Sequence, residues 1–183
     1  MRSLLGSRLS ALACAALAVS FVTAIPASAE TRDKAFFDSV VGTWKGPGKV
    51  VAGKYKGTRF ECDLTGDPLK KGETGVAMGG QCRVGVFTQD MNAVIARTAE
   101  GYTGRFLDGA KGKGLDVISG DIGENKVVVA INRKQLYGAM VASMHGPNTM
   151  NVTISVKVDD RYVPVIGMTL QRDLDNRAVG SIQ

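Results

Sequence analysis

Imidazole is nearly absent from this chain: His145 is the one histidine in 183 residues. Any site that needs two histidines, such as an HExxH zinc centre or a Cys2His2 finger, is excluded. Cysteine is scarce, with 3 in all, at Cys14, Cys62 and Cys82. Aromatic residues make up 6%, and Trp44 is the only tryptophan. Acidic residues number 17 against 23 Lys and Arg, giving a formal charge of +6. The basic residues are spread along the chain without a basic run, so nucleic-acid binding has no footing. Beyond the first 29 residues, no stretch approaches the ~20 apolar residues that a membrane-crossing helix needs. The length suits one domain. With 44% hydrophobic and 22% charged residues, the chain has enough apolar surface to fold.

Residues 1–29 have the pattern of a secretory signal peptide. Arg2 and Arg8 precede an apolar run, Leu9 to Ile25, and Ala27-Ser28-Ala29 forms an A-x-A cleavage site after Pro26. Cleavage after Ala29 leaves residues 30–183 as a single domain and lowers the formal charge to +4, through loss of Arg2 and Arg8. The residues before Cys14 (Ala11, Leu12 and Ala13) fit a lipobox poorly. The expected location is the periplasm or the outside of the cell, where weak attraction to lipid headgroups or polysaccharide is open to a basic protein.

Two cysteines remain after such cleavage. In an oxidising compartment Cys62 and Cys82 are expected to pair, stapling neighbouring strands. They lack CxxC spacing and a nearby helix start, which argues against a redox pair.

Thr31–Val41 is expected to form one short helix, with Phe36, Phe37, Val40 and Val41 on one face and Gly42 ending it. From there the pattern changes to short alternating runs separated by Gly, Asn and Asp. Ten strands are expected: 43–51, 55–64, 74–88, 93–99, 102–107, 115–122, 126–132, 135–145, 149–158 and 162–172. The clearest alternation sets Met150, Val152, Ile154, Val156 and Val158 against Asn151, Thr153, Ser155, Lys157 and Asp159. The expected fold is all-β, an antiparallel up-and-down barrel of about 8–10 strands capped by the helix. A two-sheet sandwich is the competitor. Glycines inside strand-like runs (Gly79, Gly80, Gly85, Gly104 and Gly167) are expected at bulges and bends.

Gly42-Thr43-Trp44, following a short helix and opening the first strand, resembles the G-x-W start of the calycins. These include lipocalins, fatty-acid-binding proteins and nitrobindin-like barrels. The resemblance implies that Trp44 plugs the closed end of a barrel. It also implies that Arg172, near the end of the last strand, packs across Trp44 by a cation–π contact. The stretch 30–183 also resembles exported proteins of rhizobia-like bacteria.

Several groupings bear on chemistry. Gly48 to Lys54 has Walker A spacing, but Tyr55 follows where Ser or Thr would hold Mg²⁺, and the segment is strand-like. Gly109 to Gly114 is a glycine-rich loop with Lys111 and Lys113, able to hold an anion or simply to join two strands. Met140, Met144, His145 and Met150 form the one soft-ligand cluster. On a strand the methionines share a face that His145 does not, so lining of a core or pocket is the better reading than a metal site. No metal and no cofactor are expected. Nitrobindin-like kinship would make His145 an axial haem ligand, a minor alternative. No G-x-S-x-G elbow accompanies His145, so a serine hydrolase has no support and no catalytic residue is expected. Arg59, Glu61, Arg83, Arg97, Arg105 and Arg133 lie on or beside strands and are expected to face outward more often than inward.

The expected function is non-catalytic binding of a small apolar or amphipathic ligand inside the barrel. Phe106, Met140, Met144, Met150, Ile154, Ile166 and Met168 are the candidate lining. The alternative is a structural or interaction protein of the cell envelope with a filled barrel and an envelope partner.

Overall fold

The computed structural model describes residues 27–107 and 115–174. Residues 1–26, Cys14 among them, 108–114 and 175–183 lie outside that range. One helix is followed by ten strands: α1 Ala27–Val40, β1 Gly42–Val50, β2 Arg59–Pro68, β3 Gly75–Val84, β4 Phe87–Thr98, β5 Gly101–Leu107, β6 Leu115–Ile122, β7 Lys126–Arg133, β8 Leu136–His145, β9 Thr149–Val158 and β10 Arg161–Arg172. Each strand pairs antiparallel with the next, and β1 pairs with β10, so the sheet closes into a barrel. Closure rules out the sandwich and gives every described strand a partner on both sides.

Alternation along the strands makes the inside. On β8, Gly138, Met140, Ala142 and Met144 are buried while the residues between them are half-exposed. On β9, Met150, Val152 and Ile154 continue the same inner wall, opposite Met144, Ala142 and Met140 respectively. The dry face ends there: Val156 is half-buried and Val158 is exposed where β9 leaves the barrel.

The expected strand 74–88 is two strands. β3 ends at Val84, β4 begins at Phe87, and these two residues are partners across a Gly85-Val86 turn. Gly85 has φ +57°, the left-handed conformation that a tight turn demands and that glycine adopts without strain. The sequence hides this turn because Val84, Val86 and Thr88 carry the alternation straight through it. The expected strand 93–99 is the second half of β4.

Other glycines serve close approach. A Cβ on Gly48 would lie 2.1 Å from the Phe60 ring, which covers this inner position of β1. At Gly80 and Gly104 a Cβ would meet the backbone of the neighbouring strand, whereas Gly79 and Gly167 have room.

Helix α1 plugs the end where β1, β3 and β5 start. Phe36, Phe37 and Val40 are buried against the barrel interior, while Val41 is half-exposed at the exit. The helix begins at Ala27, so cleavage after Ala29 would remove its first three residues and leave the packed stripe whole.

Candidate functional site

The plug is locked at its C-terminal end. Trp44 is fully buried, and its Nε1 donates to the Val40 carbonyl at 2.8 Å. The Arg172 guanidinium lies 4.2 Å over the Trp44 ring. It donates to the carbonyls of Ser39 at 2.6 Å, Val41 at 2.5 Å and Pro147 at 2.9 Å. The Ser39 and Val41 carbonyls are ones that the end of α1 leaves without partners, Pro147 lies in the turn before β9, and a cation suits the negative end of the helix dipole. Trp44 and Arg172 are direct partners across β1 and β10, so the seam that closes the barrel also holds the plug.

The same plug carries a buried charge that sequence reasoning missed. Asp33 is 3% exposed. Its carboxylate accepts from the Tyr102 hydroxyl and from Arg32 at 3.3 Å, and lies 3.4 Å from Arg97 Nη1. Burial, followed by the hydrogen bond to Asp33 and that residue's charge, pushes the Tyr102 phenol well above its ordinary value. Arg97 therefore corrects the outward expectation: it sits on the inner face of β4 beside Ile95. Arg59, Glu61, Arg83 and Arg105 are exposed, and Arg133 is half-buried. The signal for Asp33 was its spacing, three and four residues ahead of Phe36 and Phe37, which puts a carboxylate in the apolar stripe.

Beneath the plug lies a cavity of about 90 Å³. Phe36, Phe37 and Val40 of the plug close it from above. Of the expected lining, Phe106, Met140, Met150, Ile154 and Met168 border it. Met144 and Ile166 do not: Met144 is buried in the core nearer the plug, and Ile166 is half-buried toward the mouth. Met78 and Met91 join the wall, so five of the chain's 7 methionines touch the cavity. Asn92 is the one polar residue on the lining, apart from the bonded Cys82.

Cys62 and Cys82 are bonded. They are direct partners on β2 and β3, and both face inward, so the bond forms part of the barrel's inner wall.

His145 is exposed at the end of β8, off the face shared by Met140, Ala142 and Met144. An axial haem ligand inside the barrel cannot come from that position. Among the described residues no three His, Cys, Asp or Glu side chains gather as a metal would require. Gly48 is an inner-face residue of β1, which removes any resemblance to a phosphate loop. The loop Gly109 to Gly114 lies outside the described residues. A second recess, of about 710 Å³, crosses β1, β2, β3, β9 and β10. It is open, and Lys49, Arg59, Glu61 and Arg83 give it charges of both signs. No described helix is long and apolar enough to cross a membrane.

No protein-family model and no curated protein matches the chain. The expected kinship to exported rhizobial proteins has no counterpart in those comparisons. Among solved structures the chain is similar to that of Rv2717c from M. tuberculosis, with 7% identity over 74% of this chain and 93% of that one, at a TM-score of 0.43.

Proposed function

We propose that this chain is an exported, non-catalytic, calycin-like barrel that binds a small apolar molecule beneath helix α1. The observation that carries the reading is the apolar cavity itself. An apolar cavity of about 150 Å³ is known to take benzene. A cavity of about 90 Å³ is smaller than that, so benzene enters only if the walls give a little. The methionines allow this, because an unbranched thioether side chain repacks readily. The lining offers no free nucleophile and no acid–base group, which supports binding over catalysis. The signal-like residues 1–29 and the bonded cysteines support export to an oxidising compartment. Trp44 under Arg172 behind a short helix supports the calycin kinship.

One observation favours the second reading, a filled envelope barrel: the cavity is well below the ~300 Å³ at which ordinary ligand pockets begin. Thermal unfolding in the presence of benzene separates the two. Binding to the folded state raises Tm in proportion to occupancy, and Ala142→Leu, which grows a side chain into the cavity, should abolish the rise. An unchanged Tm in both proteins would favour the filled barrel.

A further inference from the structure

The two ends of the barrel differ in kind. Twelve large hydrophobic residues are exposed among the described residues, and nine of them lie at the mouth, opposite the plug. Val86 is 90% exposed and Phe87 77%, at the tip of the β3–β4 hairpin. Leu136 and Tyr137 start β8, Tyr162 lies near the start of β10, and Tyr55 lies between β1 and β2. Monomeric proteins seldom gather exposed apolar side chains in this way without a partner surface.

Charge follows the same division. Among the described residues the mouth half carries ten Lys and Arg against five Asp and Glu, and the plug half eight against ten. Two of the five mouth carboxylates already face a cation, Asp116 beside Arg105 at 3.8 Å and Asp160 beside Lys157 at 3.7 Å. Lys54, Lys56, Arg83, Lys134 and Arg161 stand exposed among the apolar tips. The outer wall between the ends is polar on β1 and β2, as Lys45, Glu61, Asp63 and Thr65 show. It provides no apolar belt of the kind a bilayer-spanning barrel needs.

We infer that the mouth is a docking surface for an anionic lipid bilayer. Tyr, Phe and Val side chains at the tips enter the headgroup boundary, and the lysines and arginines beside them meet lipid phosphates. The like charge of the mouth opposes face-to-face pairing with a second copy and matches an anionic membrane. The inference stands whether or not the cavity holds a ligand.

The test is co-sedimentation of the full chain with phosphatidylcholine vesicles, with and without phosphatidylglycerol. The mass of the protein used is recorded, so that the presence of residues 1–29 is known and held constant between variants. Binding should depend on phosphatidylglycerol and fall with added salt. The double variant V86S/F87S should bind at least about tenfold more weakly, through lost apolar burial. K54E/K56E should lose at least about tenfold as well, since each basic residue near an anionic surface contributes roughly 1 kcal/mol. K70E/K71E, at the plug end, should bind like the parent. Circular dichroism should be unchanged in all three, because every altered side chain is exposed. Equal binding to neutral and anionic vesicles, no binding, or mouth variants that sediment like the parent would overturn the inference. So would a concentration-dependent dimer that V86S/F87S abolishes, which would assign the mouth to a second copy.

Discussion

Arg172 ties three parts of the chain together: the end of α1, the turn before β9 and the closing seam of the barrel. Hydrogen bonds from a charged donor contribute about 1.5–3 kcal/mol each when one partner would otherwise be left bare. Arg172→Ala should therefore cost at least about 2 kcal/mol in chemical denaturation, and Arg172→Lys should recover only part, lacking the planar fork. This pair was legible because Gly42-Thr43-Trp44 and Arg172 sit where the calycin resemblance places them. The spacing of Asp33 was legible but its role was not, because that depends on Arg97 of β4 and Tyr102 of β5, both far from it in sequence. Tyr102 gives that cluster a pH signature. Its folded pKa lies above the unfolded value of about 10, so folding favours the protonated phenol. That contribution is whole below about pH 10 and is lost as pH rises beyond it. The parent should lose stability above about pH 10 more steeply than Tyr102→Phe, as denaturation midpoints across an alkaline series would show; parallel curves would remove Tyr102 from the account.

The strands were largely legible as elements, since alternation marks them and Gly, Asn and Asp mark most turns. Leu115–Ile122 and Thr149–Val158 have the expected bounds. The β3–β4 turn was hidden, because a single Gly inside unbroken alternation looks the same as a bulge until the partner strand is known. The disulfide joins β2 to β3, across 20 residues of sequence. A closed loop of that size limits the unfolded chain by about 3 kcal/mol in the chain-entropy model. Cys62→Ala/Cys82→Ala, or reduction of the parent, should lower stability by about that amount. A denaturation midpoint unmoved by reductant would show that the bond contributes nothing.

For the whole molecule, alternation could suggest a barrel but not its closure, which rests on β1 meeting β10 across the full length of the fold. Nor could it choose the lining. Met144 and Met140 share a face, yet the depth of the plug decides which of them borders the cavity. The asymmetry between an apolar, basic mouth and a sealed plug likewise appears only when hairpin tips distant in sequence come to one end. The central claim is that the sealed end holds a small apolar molecule. Native mass spectrometry of the chain purified from its native host, with an absorbance spectrum alongside, tests this most directly. The account predicts a small added mass released on denaturation, absent from Ala142→Leu, and no Soret band. A bare apo mass in the parent, or an added mass that Ala142→Leu retains, would contradict it.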